Sequence, residues 1–289
     1  MTNTLEDGVI TSKIYDLKDK LNKFIVENPQ IDQASLNSMI AQKVRGIATA
    51  SQNIKEIKRK ADNAWEEIKT NPSALHNTRL KKEARKMMQQ GIRPAECSYC
   101  WKVEDIGEHY SDRIYKSADT SWAYEYLNEI AKTPYDKNID PSYVEISFSS
   151  VCNFKCSYCS PNISSQWMEE IERYGAYPTS NKYNNLQWFQ QNDQIPIPNN
   201  QDNPYVDAFW EWWPTMYKEL KQFRITGGEP LLSKNIFKVL DYIIENPANI
   251  FLTFSVNTNM NVPDELYSKF IEKLKIIQDQ GKIGHLQIF

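Results

Sequence analysis

Strand-like and helix-like stretches alternate from Tyr143 to the end of the sequence. The strand-like runs are short and rich in β-branched and aromatic residues, and they are Tyr143–Phe148, Phe223–Thr226, Ile250–Val256 and His285–Phe289. Helical periodicity follows in the stretches 164–173, 234–245 and 263–280. The connection between two parallel strands needs a dozen or more residues and is usually a helix. Strands that alternate with helices are therefore typical of a parallel sheet. The sequence therefore predicts an α/β fold. It stops inside the fourth strand, so we expect it to be incomplete at its C-terminus, with an unfinished sheet edge.

The residues before Tyr143 predict a mostly helical region. Apolar residues recur at helical spacing in two runs on either side of Asn28-Pro29, which indicates a helical hairpin over 1–72. We expect this hairpin to pack on its own catalytic domain, and a docking or oligomerisation arm is the alternative. Residues 73–140 then form a linker segment with the first two cysteines, and residues 141–289 form the α/β core.

Charge and hydropathy argue against general nucleic-acid binding and against a membrane-spanning segment. Lys and Arg number 34 against 37 Asp and Glu, a net charge of −3, so general nucleic-acid binding is not expected. The longest apolar stretch, near Ile250–Val256, is far shorter than the roughly 20 residues that span a bilayer. The N-terminus has no basic region followed by an apolar run. We therefore expect a cytoplasmic protein.

The five cysteines lie in two tight groups, Cys97 with Cys100 and Cys152 with Cys156 and Cys159. A disulfide framework would spread its cysteines along the chain, whereas tight groups are typical of metal or redox sites. Three thiolates can hold three irons of a cubane cluster and leave the fourth iron open, as a catalytic site needs. A zinc site is the alternative, and it requires a fourth ligand.

Two motifs resemble those of a known superfamily. Cys152-x3-Cys156-x2-Cys159, with Tyr158 before the last cysteine and a strand before the first, resembles the signature of the radical S-adenosylmethionine (SAM) superfamily. Gly227-Gly-Glu-Pro230, at the end of the next strand, resembles its GGEP motif. The resemblance covers about Tyr143 to Phe289. It implies a partial (β/α)6 radical SAM barrel, about the first four βα units.

The resemblance also implies cofactors and residue roles. The three clustered cysteines would ligate a [4Fe–4S] cluster, and SAM would bind its open iron. Gly227 and Gly228 would let the backbone approach the methionine moiety, so that a side chain at Gly228 is expected to block SAM and leave the cluster intact. Glu229 would accept hydrogen bonds from the SAM ammonium, and Tyr158 would lie beside the adenine. Polar residues at the third strand's end would face the ribose or the carboxylate, and they are Ser255, Asn257, Thr258 and Asn259.

The implied activity is reductive cleavage of SAM. An electron donor of the flavodoxin or ferredoxin type would reduce the cluster, and the resulting 5′-deoxyadenosyl radical would abstract hydrogen from a substrate, with a peptide or a sugar as candidates. One alternative is a non-catalytic zinc or iron–sulfur protein that recruits a partner. A second alternative keeps the fold without the activity.

Cys97-x2-Cys100-Trp101-x2-Glu104-x2-Gly107-x3-Ser111-x-Arg113 resembles the segment before the barrel in radical SAM proteins with a twitch domain. The pair is a candidate for an auxiliary iron–sulfur cluster. The alternatives are zinc with His109, a redox dithiol and a plain thiol pair, since two cysteines alone do not complete a cluster.

The stretch Tyr174–Pro214 reads as a long insertion with many large aromatic residues, which are Trp188, Phe189, Trp210, Trp212 and Trp213. We expect these aromatics to fold onto the barrel or the N-terminal helices. A lid that binds a peptide or a sugar is the alternative.

Overall fold

The computed structural model describes residues 65–107, 110–118, 123–178, 184–192 and 194–289. They belong to one compact unit, Asn63–Phe289. Residues 1–64, which carry nearly all of the predicted hairpin, lie outside the described residues, and the proposed boundary at residue 140 stays a prediction. Within the described ranges, no helix combines the length and the apolar character needed to cross a membrane.

Short helices precede the sheet. After a helical segment at 65–70 they are α1 (Ala74–Asn77), α2 (Arg79–Gln89), α3 (Ser98–Ile106), α4 (Asp112–Lys116) and α5 (Leu127–Lys132), with 3₁₀ turns at Ala95–Cys97 and Tyr124–Tyr126. The α2 helix begins where the Thr78 hydroxyl accepts a hydrogen bond from the Lys81 N–H at 3.1 Å, an ordinary N-cap.

Four parallel strands form one sheet in the order β1-β2-β3-β4. They are β1 (Tyr143–Ser147), β2 (Gln222–Thr226), β3 (Asn249–Val256) and β4 (Ile283–Ile288). All three neighbouring pairs are parallel. The predicted α/β architecture with a parallel sheet is confirmed, and the sheet is compatible with part of a radical SAM barrel.

The crossovers between the strands are helical. The first contains α6 (Ser165–Tyr174), α7 (Leu186–Gln191) and α8 (Pro204–Glu219). After β2, a 3₁₀ turn at Pro230–Leu232 leads into α9 (Lys234–Glu245), and α10 (Asp264–Asp279) connects β3 with β4. The predicted insertion therefore contains α7 and the first eleven residues of α8, and α8 continues through Pro214 to the residues just before β2.

The core lies between one face of the sheet and helices α8, α9 and α10. The Trp213 side chain is fully buried, and its ring centroid lies 4.8 Å from that of Phe223 on β2 and 5.1 Å from that of Phe209. Trp212 is buried as well and donates from its indole N–H to Asp140 at 2.8 Å. The expectation that the aromatics of the insertion pack on the barrel is confirmed for these tryptophans.

The other face of the sheet is polar. Side chains alternate along β2, so that Phe223 and Ile225 are buried while Gln222, Arg224 and Thr226 stay partly accessible. The strand register places Glu145 of β1 and Ser255 of β3 beside Arg224 on this face. The sheet therefore separates an apolar layer under the helices from a polar face.

Replacing Trp213 by alanine should lower the free energy of unfolding by about 3–5 kcal/mol, because it removes a fully buried aromatic side chain from the core. Chemical denaturation followed by circular dichroism measures the change. Tyr174→Ala is the control, since Tyr174 is 76% exposed and its loss should change stability by less than about 0.5 kcal/mol. Equal effects in both variants would contradict the packing of α8 on the sheet.

His76 gives the fold a pH dependence. Burial, together with the positive charges of Lys81 and Arg85, lowers the pKa of His76 to about 4. The unfolded chain, in which the pKa is about 6.5, therefore binds more protons between these two pH values. The contribution of neutral His76 to stability is complete above pH 6.5 and decreases as the pH falls towards 4. The difference in unfolding free energy between wild type and His76→Gln should shrink over this range, and a difference that grows would refute the argument.

Candidate functional site

Three loops meet at the carboxyl ends of β1, β2 and β3. We call residues 148–164 the cluster loop, residues 227–230 the GGEP turn and residues 257–262 the third-strand loop. Parallel strands bring their carboxyl ends to one edge of a sheet, which is where β/α folds place their active sites. Both predicted motifs and the polar residues after β3 lie at this edge.

The cluster loop and the GGEP turn are joined by backbone hydrogen bonds. The Gly228 N–H donates to the Ser149 carbonyl at 3.0 Å, and the Glu229 N–H donates to the Val151 carbonyl at 2.7 Å. Val151 directly precedes Cys152. The first cysteine of the motif is therefore fixed relative to the GGEP turn.

The close approach of these two backbones explains the glycines. A Cβ atom on Gly228 would lie 2.1 Å from the Val151 carbonyl oxygen, a distance that no rotamer change can relieve. Gly227 has a φ of +110°, and a Cβ there would lie 2.2 Å from the Ser147 hydroxyl. Contact with the methionine moiety of SAM stays a prediction. We expected a side chain at Gly228 to leave the cluster intact. The structure indicates instead that such a side chain would overlap with the cluster loop and disturb it.

Glu229 connects the GGEP turn to the third-strand loop. Its side chain is only 2% exposed. One carboxylate oxygen accepts hydrogen bonds from the Leu231 N–H at 3.0 Å and the Thr258 hydroxyl at 2.6 Å. The other oxygen accepts from the Asn259 N–H at 2.7 Å. Three donors of the protein thus bind the carboxylate predicted to meet the SAM ammonium, and that predicted contact is not tested.

The first turn of α6 holds the cluster loop from its other side. The Ser165 hydroxyl accepts from the Cys152 N–H at 3.1 Å and donates to the Cys152 carbonyl at 3.2 Å. The Trp167 indole N–H donates to the Cys156 carbonyl at 2.9 Å. Sequence reasoning missed both residues. A serine at a helix start signals an N-cap, and nothing in the local pattern indicates that Ser165 binds a cysteine thirteen positions earlier.

The three thiols of the motif influence one another electrostatically. Burial is the largest cause that raises the pKa of Cys159, and the neighbouring Cys156 and Cys152 thiols raise it further. The Phe154 N–H donates to the Cys152 sulfur at 3.4 Å, which is the kind of contact that tunes cluster-bound thiolates. Tyr158 is 88% exposed, and a hydrogen bond with the Cys156 thiol raises the pKa of Tyr158. Its predicted place beside an adenine is not tested.

In the part of the chain that the structure describes, no three Cys, His, Asp or Glu side chains converge on one metal-ion position. Zinc requires such convergence, because its ligands share a single ion. The thiolates of a cubane bind three different irons instead. The absence of a converged group among the described residues therefore does not count against a cubane cluster.

The predicted polar residues at the end of β3 and just after it differ in their surroundings. The Ser255 hydroxyl donates to the Gln287 amide oxygen at 2.9 Å, across the β3–β4 pair. The side-chain oxygen of Asn257 is buried, and the described structure gives it no hydrogen-bond partner. A buried acceptor without a donor is costly unless a ligand or water supplies one. Asn257 is therefore the residue of this group that best fits a bound ligand.

On the polar face of the sheet, one nitrogen of the Arg224 guanidinium lies 3.9 Å from a Glu145 carboxylate oxygen. The guanidinium also lies over the Phe289 ring, 4.9 Å from its centroid. The Tyr143 hydroxyl donates to Glu145 at 2.8 Å. These charged and hydrogen-bonding groups lie on the strands that lead to the cluster loop and the GGEP turn, so a polar molecule could bind along this face.

The upstream cysteine pair lies in a small motif of its own. Trp101 lies between two guanidinium groups, at 4.5 Å from Arg113 and 5.3 Å from Arg93, measured to its ring centroid. Arg113 binds Glu104 at 2.7 Å, and the Ser111 hydroxyl donates to the same carboxylate at 2.5 Å. The non-cysteine residues of the predicted pattern therefore stabilise the segment.

Burial and the neighbouring Cys100 thiol raise the pKa of Cys97. A redox dithiol works instead with a lowered thiol pKa, because the thiolate is the reactive form. The redox dithiol and the plain thiol pair stay alternatives, because a reactive pair needs a lowered pKa at only one of its two thiols. His109 lies outside the described residues, so its part in a zinc site is not tested, and the auxiliary cluster stays a prediction.

Several curated proteins are similar to part of the chain. GTP 3′,8-cyclase from Campylobacter lari is 28% identical over 126 residues, which is 44% of this chain and 30% of that protein. GTP 3′,8-cyclase from Pasteurella multocida is 32% identical over 106 residues, 37% of this chain and 23% of that protein. The GTP 3′,8-cyclase of Sulfurimonas denitrificans is 26% identical over 123 residues, 43% of this chain and 29% of its own length. No protein-family model and no solved structure matches the chain.

These relatives are radical SAM enzymes, and the similarity supports the superfamily that the two motifs indicate. The same similarity supports iron–sulfur and SAM chemistry. The matched segments span less than a third of the relatives' own length. The twitch domain is not shown by them.

Replacing Gly228 by alanine should reduce the iron that the protein retains after anaerobic reconstitution, because the new Cβ overlaps with the backbone at Val151 beside Cys152. Gly281→Ala is the matched control. Unlike Gly228, Gly281 has a positive φ, of +58°, but a Cβ there meets nothing within 4 Å, so this control adds backbone strain without an overlap. Iron analysis compares the two variants. If Gly228→Ala retains as much iron as Gly281→Ala, the GGEP turn does not position the cluster loop.

Proposed function

We propose that this chain contains the core of a radical SAM enzyme that binds a [4Fe–4S] cluster through Cys152, Cys156 and Cys159. One observation carries the proposal. The loop with the three cysteines and the GGEP turn are hydrogen-bonded to each other, through Glu229 N–H and the Val151 carbonyl at 2.7 Å, at the carboxyl ends of adjacent parallel strands. The two motifs are distant in sequence. If either of them had occurred by chance, there would be no reason for the two to be in contact.

The residues of the chain would divide the work as follows. The thiols hold the cluster, and the backbone of the GGEP turn and α6 keep the loop in place. Asn257, with its buried and unpartnered oxygen, would accept a hydrogen bond from SAM. The polar face with Glu145 and Arg224 would orient the substrate. When bound, the reduced cluster and SAM supply a carbon radical that removes hydrogen from that substrate.

The proposal includes an external electron donor of the flavodoxin or ferredoxin type, because none of the protein side chains supplies a low-potential electron. Peptides and sugars are the substrate classes that the sequence suggests, and the name of the relatives adds GTP to the molecules worth assaying. The contribution of the protein to any of these reactions is orientation and exclusion of water.

Replacing Cys156 by serine should abolish the cluster, since two thiolates do not hold a cubane. The double variant Cys97→Ser/Cys100→Ser is the control and should keep the cluster of the three-cysteine loop. Iron and sulfide analysis together with visible iron–sulfur absorption measure both. Dithionite-reduced wild type should in addition release 5′-deoxyadenosine from SAM, and Cys156→Ser should release almost none.

Full iron content in Cys156→Ala, which unlike serine offers iron no side-chain oxygen, would refute the ligand assignment. A colourless wild type that binds zinc after reconstitution would favour the non-catalytic metal protein. A cluster without any 5′-deoxyadenosine would favour a binding protein that keeps the fold without the activity.

A further inference from the structure

Asn153, the residue after the first cysteine of the motif, is hydrogen-bonded to the third-strand loop through both ends of its amide. Its side-chain N–H donates to the Asn261 carbonyl. Its side-chain oxygen accepts from the Asn259 amide at 3.0 Å. These bonds join residues that are more than a hundred positions apart in sequence. The cluster loop thus has a second connection, separate from its backbone contacts with the GGEP turn.

The third-strand loop is itself held in one conformation. The Asn259 N–H donates to the buried Glu229 carboxylate at 2.7 Å, and the Asn259 side-chain oxygen accepts from the Asn261 N–H at 2.8 Å. Met260, between them, has a φ of +57°. A left-handed conformation is strained in a residue with a side chain, and such strain concentrates at functional sites.

The left-handed turn at Met260 lies between Asn259 and Asn261, the two partners of Asn153. The Met260 N–H donates to the Thr258 hydroxyl at 3.0 Å, so the turn is tied to the residues that precede it. A change of the backbone at Met260 would therefore move both partners of Asn153.

We propose that the hydrogen bonds of Asn153 with Asn259 and Asn261 form a latch that positions Cys152 as a cluster ligand. The proposal rests on the cluster assignment above. Asn153 lies between Cys152 and Phe154, whose N–H donates to the Cys152 sulfur at 3.4 Å. Fixing the Asn153 side chain therefore fixes both the path of the loop at Cys152 and the direction of this N–H group. Asn153 and Asn259 are positioning residues in this role.

The latch predicts an effect on the cluster that exceeds its effect on the fold. Asn153 lies at the surface, where a hydrogen bond adds little to global stability, since water replaces the lost partner. Hydrogen bonds to cluster sulfurs, in contrast, change the electronic properties of the cluster directly. A structural role alone would change the melting temperature and the cluster together.

The test compares Asn153→Ala, Asn259→Ala and the double variant in anaerobically reconstituted protein. Iron release to a chelator should be about 10-fold faster in each single variant, the lower limit for residues that support metal ligands. The double variant should release iron no faster than either single variant, because both remove the same latch. The electron paramagnetic resonance spectrum of the reduced cluster without SAM should change in all three. Asn200→Ala, at an exposed asparagine outside the three loops, should behave as wild type.

Two substitutions at Met260 separate the latch from simple loss of a side chain. Met260→Gly removes the side chain but adopts a positive φ without strain, so iron release should stay at the wild-type rate. Met260→Val keeps a side chain, but a β-branched residue resists this conformation, so iron release should rise as in Asn259→Ala. Faster iron release in Met260→Gly than in Met260→Val would overturn the role of the turn.

Wild-type iron release and an unchanged spectrum in the asparagine variants would overturn the latch while leaving the cluster assignment intact. So would additive effects in the double variant. If the wild type takes up no iron, the proposed function fails, and hydrogen exchange of the metal-free protein decides the latch. Faster exchange at residues 150–156 in both Asn153→Ala and Asn259→Ala would support a latch on this loop, and exchange at the wild-type rate would refute it.

Discussion

The approach of the GGEP turn to the cluster loop is the contact on which the rest of the site depends. The β1–β2 register aligns Ser147 with Thr226, so both strands end at the same level and their following residues face each other. The two backbones approach so closely there that a Cβ at Gly227 would overlap with Ser147, and a Cβ at Gly228 would overlap with Val151. Once the pair is formed, Glu229 is carried into the interior. Its carboxylate there binds the residues that follow β3. Three loops from three strands are thus connected through two consecutive residues, Gly228 and Glu229.

Local patterns in the sequence predicted a large part of this arrangement. The four strands and helices α6, α9 and α10 lie within a few residues of their expected bounds, because hydrophobic periodicity is a property of each segment alone. The cysteine loop and the GGEP turn were recognisable because their residues are close together in sequence. Other contacts were not predictable in this way. Ser165 bonds to Cys152, and Asn153 to Asn259, only because the fold brings distant segments together.

In the region between β1 and β2, the burial of side chains outweighs the tendency of a proline to end a helix. The sequence presents residues 174–214 as an insertion that ends at Pro214, and a proline inside a helix removes one hydrogen bond. The α8 helix continues past it, because Trp212 and Trp213 before Pro214 and Met216 and Tyr217 after it are all buried. Only a helix places these four side chains on the sheet together. The free energy gained by burying their apolar surface exceeds the free energy lost with one helix hydrogen bond.

The polar face of the sheet links the fold to the chemistry. Strands of a parallel sheet that is buried on both sides read as continuous apolar runs. In β2, by contrast, Arg224 and Thr226 alternate with Phe223 and Ile225, so only the helix-covered face is apolar. The strand that carries this alternation ends in the GGEP turn, and its neighbour β1 ends in the cluster loop. A substrate bound along the polar face would therefore extend towards the cysteines without crossing the core. The same alternation that directs the apolar side chains under α8 and α9 also directs the charged side chains towards the place where radical chemistry would start.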